Sequence, residues 1–352
     1  MAHGSRLTAH GNILSEISSS NHRKTSFVIL GYPMGGTLAS AKLYGAILCR
    51  ELNTFLRNLL HIHTSHKINT IIELPGKYIW DKVLFDTCRL SPDNDIYFVF
   101  YEGFRLAYSK NYLAHLKSKY KNCRLIFCFR NPIFQGEKIL FAAQKYEVVR
   151  KYYNLCITFN RADAAKMGIL FCDYWPCLLP DKDFEPEDAS DVFFCGAAKD
   201  RLHRIIEVYE KLADSGLKCD FYVTGVPKYQ QKYPQEIHYT VKEGSCLDYD
   251  EVLQKDRNTK CVLEILPYNQ NYSSLRVCEA LWYHRKLLTT NLEAPQEWFY
   301  HPEIVQCFSE AQDIDTEFIT RPLSSEDEQK IFGEMNIGDF GVFADWIIEH
   351  AG

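Results

Sequence analysis

Short apolar runs recur along the 352 residues of this chain, and stretches of helical period separate most of them. In the first half they cover residues 26–30, 70–74, 96–101, 124–129 and 155–159. In the second half they cover 192–195, 220–224, 237–240, 261–266, 287–290 and 305–308. Helical patterns run over 38–56, 106–117, 139–152 and 340–348, and further helices begin near Arg201, Tyr249 and Leu275. A strand that is apolar at every position is covered on both faces, the condition of a mostly parallel sheet with helices above and below. The alternation predicts an α/β fold of two Rossmann-like, doubly wound domains.

The division between them is placed by composition. Residues 181–190 carry a proline and a run of acids with no apolar period, which reads as a linker. The expected organisation is an N-terminal arm over 1–24, a first domain over 25–180, the linker, a second domain over 191–333 and a terminal helix over 334–352 that packs back on the first domain. The arm is rich in Ser, His and Asn and lacks the apolar run of a signal peptide. No run of about 18 apolar residues occurs, so no transmembrane helix is expected, and a membrane-borne acceptor would be met peripherally, at the bilayer surface. The 13 cysteines lie scattered along apolar runs without paired zinc spacing, as reduced core residues of a cytoplasmic protein would. A formal charge of −5 argues against a general nucleic-acid binder.

Ligands of such sheets gather beyond the carboxyl ends of the strands. In the first domain that rim carries Glu102, Arg130 and Asn160. The loop Gly31-Tyr32-Pro33-Met34-Gly35-Gly36 lacks the spacing of a dinucleotide fingerprint and reads as a tight turn, or as a place where an acceptor approaches backbone. In the second domain one loop has Gly196, Ala197 and Ala198 followed by Lys199 and Arg201 at a helix start. The other runs from Tyr268 through Ser273 and Ser274 into Leu275, Arg276 and Glu279. Serine caps a helix by accepting a free backbone N–H, and the spare donors of the first turn suit an anion. Cations there are unfavourable unless an anion offsets them, which points to a diphosphate at Lys199, Arg201 and Arg276. The plainer reading is a simple cap, with Arg276 and Glu279 as a surface pair.

The run Ser-Ser-Leu-Arg-Val-Cys-Glu-Ala-Leu followed by Arg-Lys-Leu-Leu-Thr-Thr-Asn resembles the donor-site segment of GT-B glycosyltransferases, in particular bacterial enzymes that build capsular and lipopolysaccharide glycans. Residues 191–201 and 156–164 extend the resemblance. It implies two Rossmann-like domains with a cleft between them, acceptor on the first and sugar nucleotide on the second. The diphosphate would lie at Gly196, Lys199, Arg201, Ser273, Ser274, Leu275 and Arg276, and the ribose at Glu279. The activity implied is transfer of a sugar from a nucleotide-diphosphate donor to a hydroxyl of a glycan or glycolipid, with no cofactor. Many retaining members carry a second glutamate eight positions before the one at 279; here that position is Asn271, which leaves the stereochemical outcome open. An inverting enzyme needs a base, for which Glu102 is the candidate. Four Asp-x-Asp pairs occur (93/95, 181/183, 248/250 and 313/315), none following a strand as a metal site requires, and His61, His63 and His66 read as a polar loop. No metal is expected. The alternatives are a sugar-nucleotide epimerase of the same architecture and a non-catalytic nucleotide- or glycan-binding module.

Overall fold

The computed structural model describes residues 24–31, 41–42, 44–72, 74–135, 137–172, 187, 189–244, 246–268, 273–333 and 340–352. All of the expected arm but Lys24 and seven of the ten residues of the expected linker, with Asp181 and Asp183, lie outside them, as do five of the six residues of the loop after Leu30.

Two six-stranded parallel sheets follow one another along the chain. The first half contains β1 (Thr25–Leu30), β2 (Ile47–Leu48), α1 (Thr54–His63), α2 (His66–Ile71), α3 (Trp80–Leu84), β3 (Asp95–Tyr101), α4 (Lys110–Lys119) and β4 (Cys123–Phe129). A small hairpin follows, β5 (Phe134–Gln135) and β6 (Lys138–Ile139), then α5 (Phe141–Val149), β7 (Leu155–Thr158), α6 (Arg161–Met167) and β8 (Leu170–Phe171). The second half contains β9 (Ser190–Ala197), α7 (Leu202–Asp214), β10 (Cys219–Thr224), β11 (Ile237–Thr240), α8 (Tyr249–Arg257), β12 (Thr259–Glu264), α9 (Leu275–Trp282), β13 (Lys286–Thr289) and β14 (Val305–Cys307). It closes with α10 (Thr316–Thr320), α11 (Ser325–Gly333) and α12 (Phe340–His350).

The continuous apolar runs become strands because both faces of each sheet are covered. In the first sheet Val28, Leu30, Phe98, Phe100, Leu125 and Phe127 enter one core, while Phe27, Ile29, Tyr97, Val99, Ile126 and Cys128 enter the other. That is the period-two split of a pleated strand buried twice. The strand order is β2-β1-β3-β4-β7-β8 in the first sheet and β11-β10-β9-β12-β13-β14 in the second. Chain direction therefore reverses between β1 and β3 in one and between β9 and β12 in the other, the switch points where α/β sheets hold ligands.

Four expectations change. The helix over 38–56 is interrupted: Gly45 turns at φ 86°, β2 pairs with β1, and α1 starts only where Asn53 accepts the Leu56 N–H at 2.9 Å. The run 70–74 is not a strand. Its start is the end of α2, and Asn69 binds the His63 and Ser65 carbonyls while accepting from Leu74 N. Ile71 and Ile72 are left 84% and 67% exposed, so apolar character there does not signal burial. Ser190, placed in the linker, begins β9 and bonds Thr259 at 3.0 Å. The histidines are helical rather than loop residues. His63 Nδ1 accepts from the Trp80 indole at 2.9 Å, so its Nε2 carries the proton and donates to Pro75 O.

Terminal helix α12 buries Phe340, Phe343, Ala344 and Ile347 against Phe27, Ile29 and Tyr97 of the first sheet. Phe340 meets Phe27 edge-on at 5.7 Å. Truncating a buried Phe costs about 3–5 kcal/mol. Phe343→Ala is therefore expected to lower unfolding free energy by about that amount in a urea titration, whereas an unchanged midpoint would mean that α12 does not brace this sheet.

Candidate functional site

The carboxyl edge of the second sheet is organised around Glu264, the last residue of β12. It is 2% exposed and accepts from Ser274 N at 2.5 Å and Thr289 Oγ1 at 2.6 Å. Burial pushes its carboxyl up, and those two bonds together with nearby Arg201 oppose the shift. Ser274 caps α9, its hydroxyl accepting from Arg276 N at 3.3 Å. Ser273 Oγ accepts from Asn291 Nδ2 at 3.0 Å. The serines, Thr289 and Asn291 thus form one polar floor at the switch point between β9 and β12.

Gly196 and Ala197 are the end of β9 rather than loop residues. The glycine has a specific reason: a Cβ there would stand 2.9 Å from Arg201 Nη2 and 3.2 Å from the Phe194 ring. Arg201 lies in this space, half-buried, its Nε donating to Ala197 O at 3.0 Å. Burial lowers its pKa, Asp200 and Glu264 oppose that, and no carboxylate among the described residues pairs with it. Lys199 beside it is exposed and takes φ 44°, a left-handed conformation that costs a non-glycine residue roughly 1–2 kcal/mol.

Arg276 turns elsewhere. Its Nη1 stands 2.9 Å from Asp256 Oδ2 and 2.7 Å from Glu279 Oε2, and both acids are fully buried. The offsetting negative charge at this helix start is supplied from within the protein. Leu275 opens the helix between the two clusters. Burial drives the Asp256 carboxyl well above the usual range, with Arg276 opposing and Glu279 adding to the rise. The structure therefore brings Gly196, Arg201, Ser273 and Ser274 together around Glu264, and sets Arg276 and Glu279 in a second, adjoining cluster. Glu264, Asp256 and Asn291 escape the sequence reading. The only signal for Glu264 is a lone acid inside an apolar run.

A cleft faces the first half of the chain. Asn160, Arg161 and Phe171 line it on one side, and Ser273, Ser274, Glu293, Glu297 and Trp298 on the other. The Arg161 guanidinium spans it, with Nε 3.1 Å and Nη2 3.3 Å from the two Glu297 oxygens, and lies 4.1 Å over the Phe171 ring. Glu102 is at the first sheet's switch point, beyond β3, and is not among the residues lining this cleft. It accepts from both the backbone and the side-chain amide of Asn131. Burial pushes it up to about 7, against the Asn131 bonds and Arg130.

Among the described residues no three His, Cys, Asp or Glu side chains are placed to share an ion. Asp248 caps α8 and Asp315 caps α10, while Asp313 closes a capping box with Glu310.

No family model and no curated protein matches this sequence. Solved structures do match it in shape. HepE from Anabaena, in complex with UDP and glucose, superposes over 93% of this chain and 99% of its own at a TM-score of 0.51 and 12% identity. An alpha-glucosyltransferase in complex with UDP and a 13-mer DNA superposes over 95% and 100% at 0.54 and 10% identity. The chain has the GT-B fold. A glycosylation-associated complex from Streptococcus agalactiae aligns with 74% of this chain but 55% of its own at a TM-score of 0.43, too distant to add to that assignment. The GT-B strand order accounts for the nearness of Arg201 to Glu264, since one follows β9 and the other ends β12, the strands that flank the second sheet's switch point.

Two acids sharing one guanidinium can substitute for each other. Asp256→Asn alone leaves Glu279 with Arg276, and Glu279→Gln alone lets Asp256 ionise, so each should be mild. The double variant buries Arg276 without a counter-charge and is expected to cost about 3–5 kcal/mol, more than the sum of the singles. Asp256 also binds its proton more tightly folded than unfolded, so its contribution to stability is lost as pH rises from the ordinary carboxylate range towards its raised folded value. Asp256→Asn should flatten that decline in denaturant titrations across pH; additive singles and an unchanged slope would refute the shared charge.

Proposed function

We propose that this chain is a glycosyltransferase that moves a sugar from a nucleotide-diphosphate donor to a hydroxyl acceptor. The observation that carries this reading is the half-buried Arg201 guanidinium, held without a carboxylate partner among the described residues in the space Gly196 leaves open, at the switch point of a GT-B sheet. A cation taken partly out of water needs an anion. The strained Lys199 and the start of α9 adjoin it, and a diphosphate supplies the charge and the acceptor oxygens. The UDP named with both structural neighbours supports a nucleotide of that class.

In this reading the second sheet binds the donor. Arg201 and Lys199 neutralise the diphosphate, and their stabilisation grows as the bond to the sugar breaks and charge builds on the leaving oxygen. Ser273 and Ser274 position the donor over the floor set by Glu264 and Asn291, and Leu275 opens the helix at that point. Arg276 acts through its pairs, holding Glu279 where a ribose would lie. The acceptor, a glycan or glycolipid, enters through the cleft between Asn160 and Phe171 on one side and Trp298 on the other and reaches along the first sheet's carboxyl edge to Glu102. Glu102 takes the acceptor proton if the reaction inverts: a carboxylate pushed up to about 7 is a stronger base than an ordinary one and is still half ionised near neutrality.

Charge stabilisation by side chains requires no ion, so transfer should persist in chelator; abolition by chelator with recovery on adding magnesium would reverse that expectation. Arg201→Ala removes a charged hydrogen bond, about 1.5–3 kcal/mol, or roughly one to two decades of kcat/KM. Arg201→Lys should restore part of the loss, because charge returns without the planar fork. Gly196→Ala should mimic Arg201→Ala in donor KM by displacing the guanidinium. Full activity in Arg201→Ala would end the assignment of the donor site.

A base is active only after losing its proton. The rate should therefore rise with pH through about 7, the value to which burial pushes Glu102, and the limb should vanish in Glu102→Gln. A limb that survives this substitution belongs to another group.

A further inference from the structure

Exposed apolar side chains are not spread evenly over this protein. Among the described residues, 17 large hydrophobics are exposed, and eight of them fall between positions 55 and 79. They lie on the connection from β2 to β3. Phe55, Leu59 and Ile62 share a stripe of α1 at i, i+4 and i+7. Ile68, Ile71 and Ile72 repeat the pattern on α2 and its cap. Tyr78 and Ile79 complete the group. His63 fastens the parts together through Trp80 and Pro75, and Asn69 ties α2 to the carbonyls of His63 and Ser65. Phe55 is 73% exposed and Ile71 84%, so these are not core residues at the edge of burial. Large exposed apolar side chains concentrated on one connection mark an interaction site.

Charge says what covers it. Residues 24–172 carry 21 Lys and Arg against 10 Asp and Glu, a formal +11, although the whole chain is −5. Residues 173–352 carry 17 against 34, a formal −17. The apolar cluster thus sits on the basic half of a molecule whose other half is strongly acidic. Locally, the only acid among the described residues from 54 to 84 is Asp81. It is buried and held by Lys119 and His115, each at 2.9 Å. Arg57 and Lys82 are exposed on the same connection, and Arg57 and Arg105 lie near enough to His61 to affect its titration. Basic charge beside exposed Phe, Leu and Ile fits an anionic bilayer, where the cations meet headgroups and the apolar side chains enter the acyl boundary. A nucleic acid would use the same charge but offers nothing for aliphatic side chains to enter, since bases are gripped by stacking on rings. No helix among the described residues is long and apolar enough to cross a membrane, so the contact would be with one face.

We infer that the β2–β3 connection, through Phe55, Leu59, Ile62, Ile68, Ile71 and Ile72, docks the basic half of the protein on an anionic lipid surface. The inference rests on the surface and the charge distribution and not on the transfer chemistry, so the two are tested apart. The test is flotation of the full chain with vesicles of phosphatidylcholine alone or mixed with phosphatidylglycerol, without donor or acceptor. The chain should float with the anionic vesicles, less so as salt rises, and little with the zwitterionic ones. Combining Phe55→Ser, Ile62→Ser and Ile71→Ser should cut the bound fraction about tenfold, and Arg57→Glu with Lys82→Glu should cut it further. Tyr229→Ser, removing an aromatic that is 85% exposed on the acidic half, should leave it unchanged. If the triple variant melts early, Ile71→Ser alone must still lower binding. No flotation with anionic vesicles, or equal binding by the apolar variants, overturns the inference. So does a dimer of the free chain that the triple variant dissociates, which would make a second copy the occupant. Tight binding of an oligonucleotide that competes the vesicles away and ignores the apolar substitutions would equally overturn it.

Discussion

The second sheet's carboxyl edge depends on a buried carboxyl group. Glu264 is almost entirely removed from water, and an acid in that position is tolerated only when its oxygens are bonded. Both are: one holds the backbone where α9 begins, the other the hydroxyl at the end of β13. Strand, strand and helix are thereby fixed to a single group at the switch point. The same group takes the Ser274 N–H at the start of α9, so one donor of that helix start is occupied before any ligand arrives. In the proposed donor site the external anion lies on the β9 side, with Arg201 and Lys199.

This division of charge separates two kinds of arginine that look alike in sequence. Arg276 has two buried acids within ion-pair distance and keeps its charge inside the protein. Arg201 touches a carbonyl, an aromatic face and a glycine, with Asp200 and Glu264 nearby but no carboxylate among the described residues within ion-pair distance. In the proposed donor site only the second answers a ligand's charge. A cation that is already paired contributes to stability and geometry, and its removal is felt mainly through its partners.

Much of the fold was legible because its strands are buried on both faces, so that apolar runs such as 96–101 and 124–129 can hardly be anything else. The run 70–74 failed for the opposite reason: Ile71 and Ile72 are apolar but unburied, and sequence records hydrophobicity, not coverage. The cap at Ser274 and the helix at Leu275 were readable from local chemistry. Glu264 was not, since its partners lie 10 and 25 positions away, and Asp256 lies 20 from Arg276. Pairings at that range are made by strand order, which no window along the chain contains.

The seating of α12 against β1 and β3 also has a temporal side. The last strand of the first sheet ends at Phe171 and α12 begins at Phe340, so about 170 residues separate the sheet from the helix that covers one of its faces. At a synthesis rate of ~5–20 residues per second, the ribosome takes about 10–30 s to cross that interval. Throughout it, Phe27, Ile29, Tyr97 and Val99 present an uncovered hydrophobic face to the cell. The emerging chain therefore carries that face uncovered until its own tail arrives.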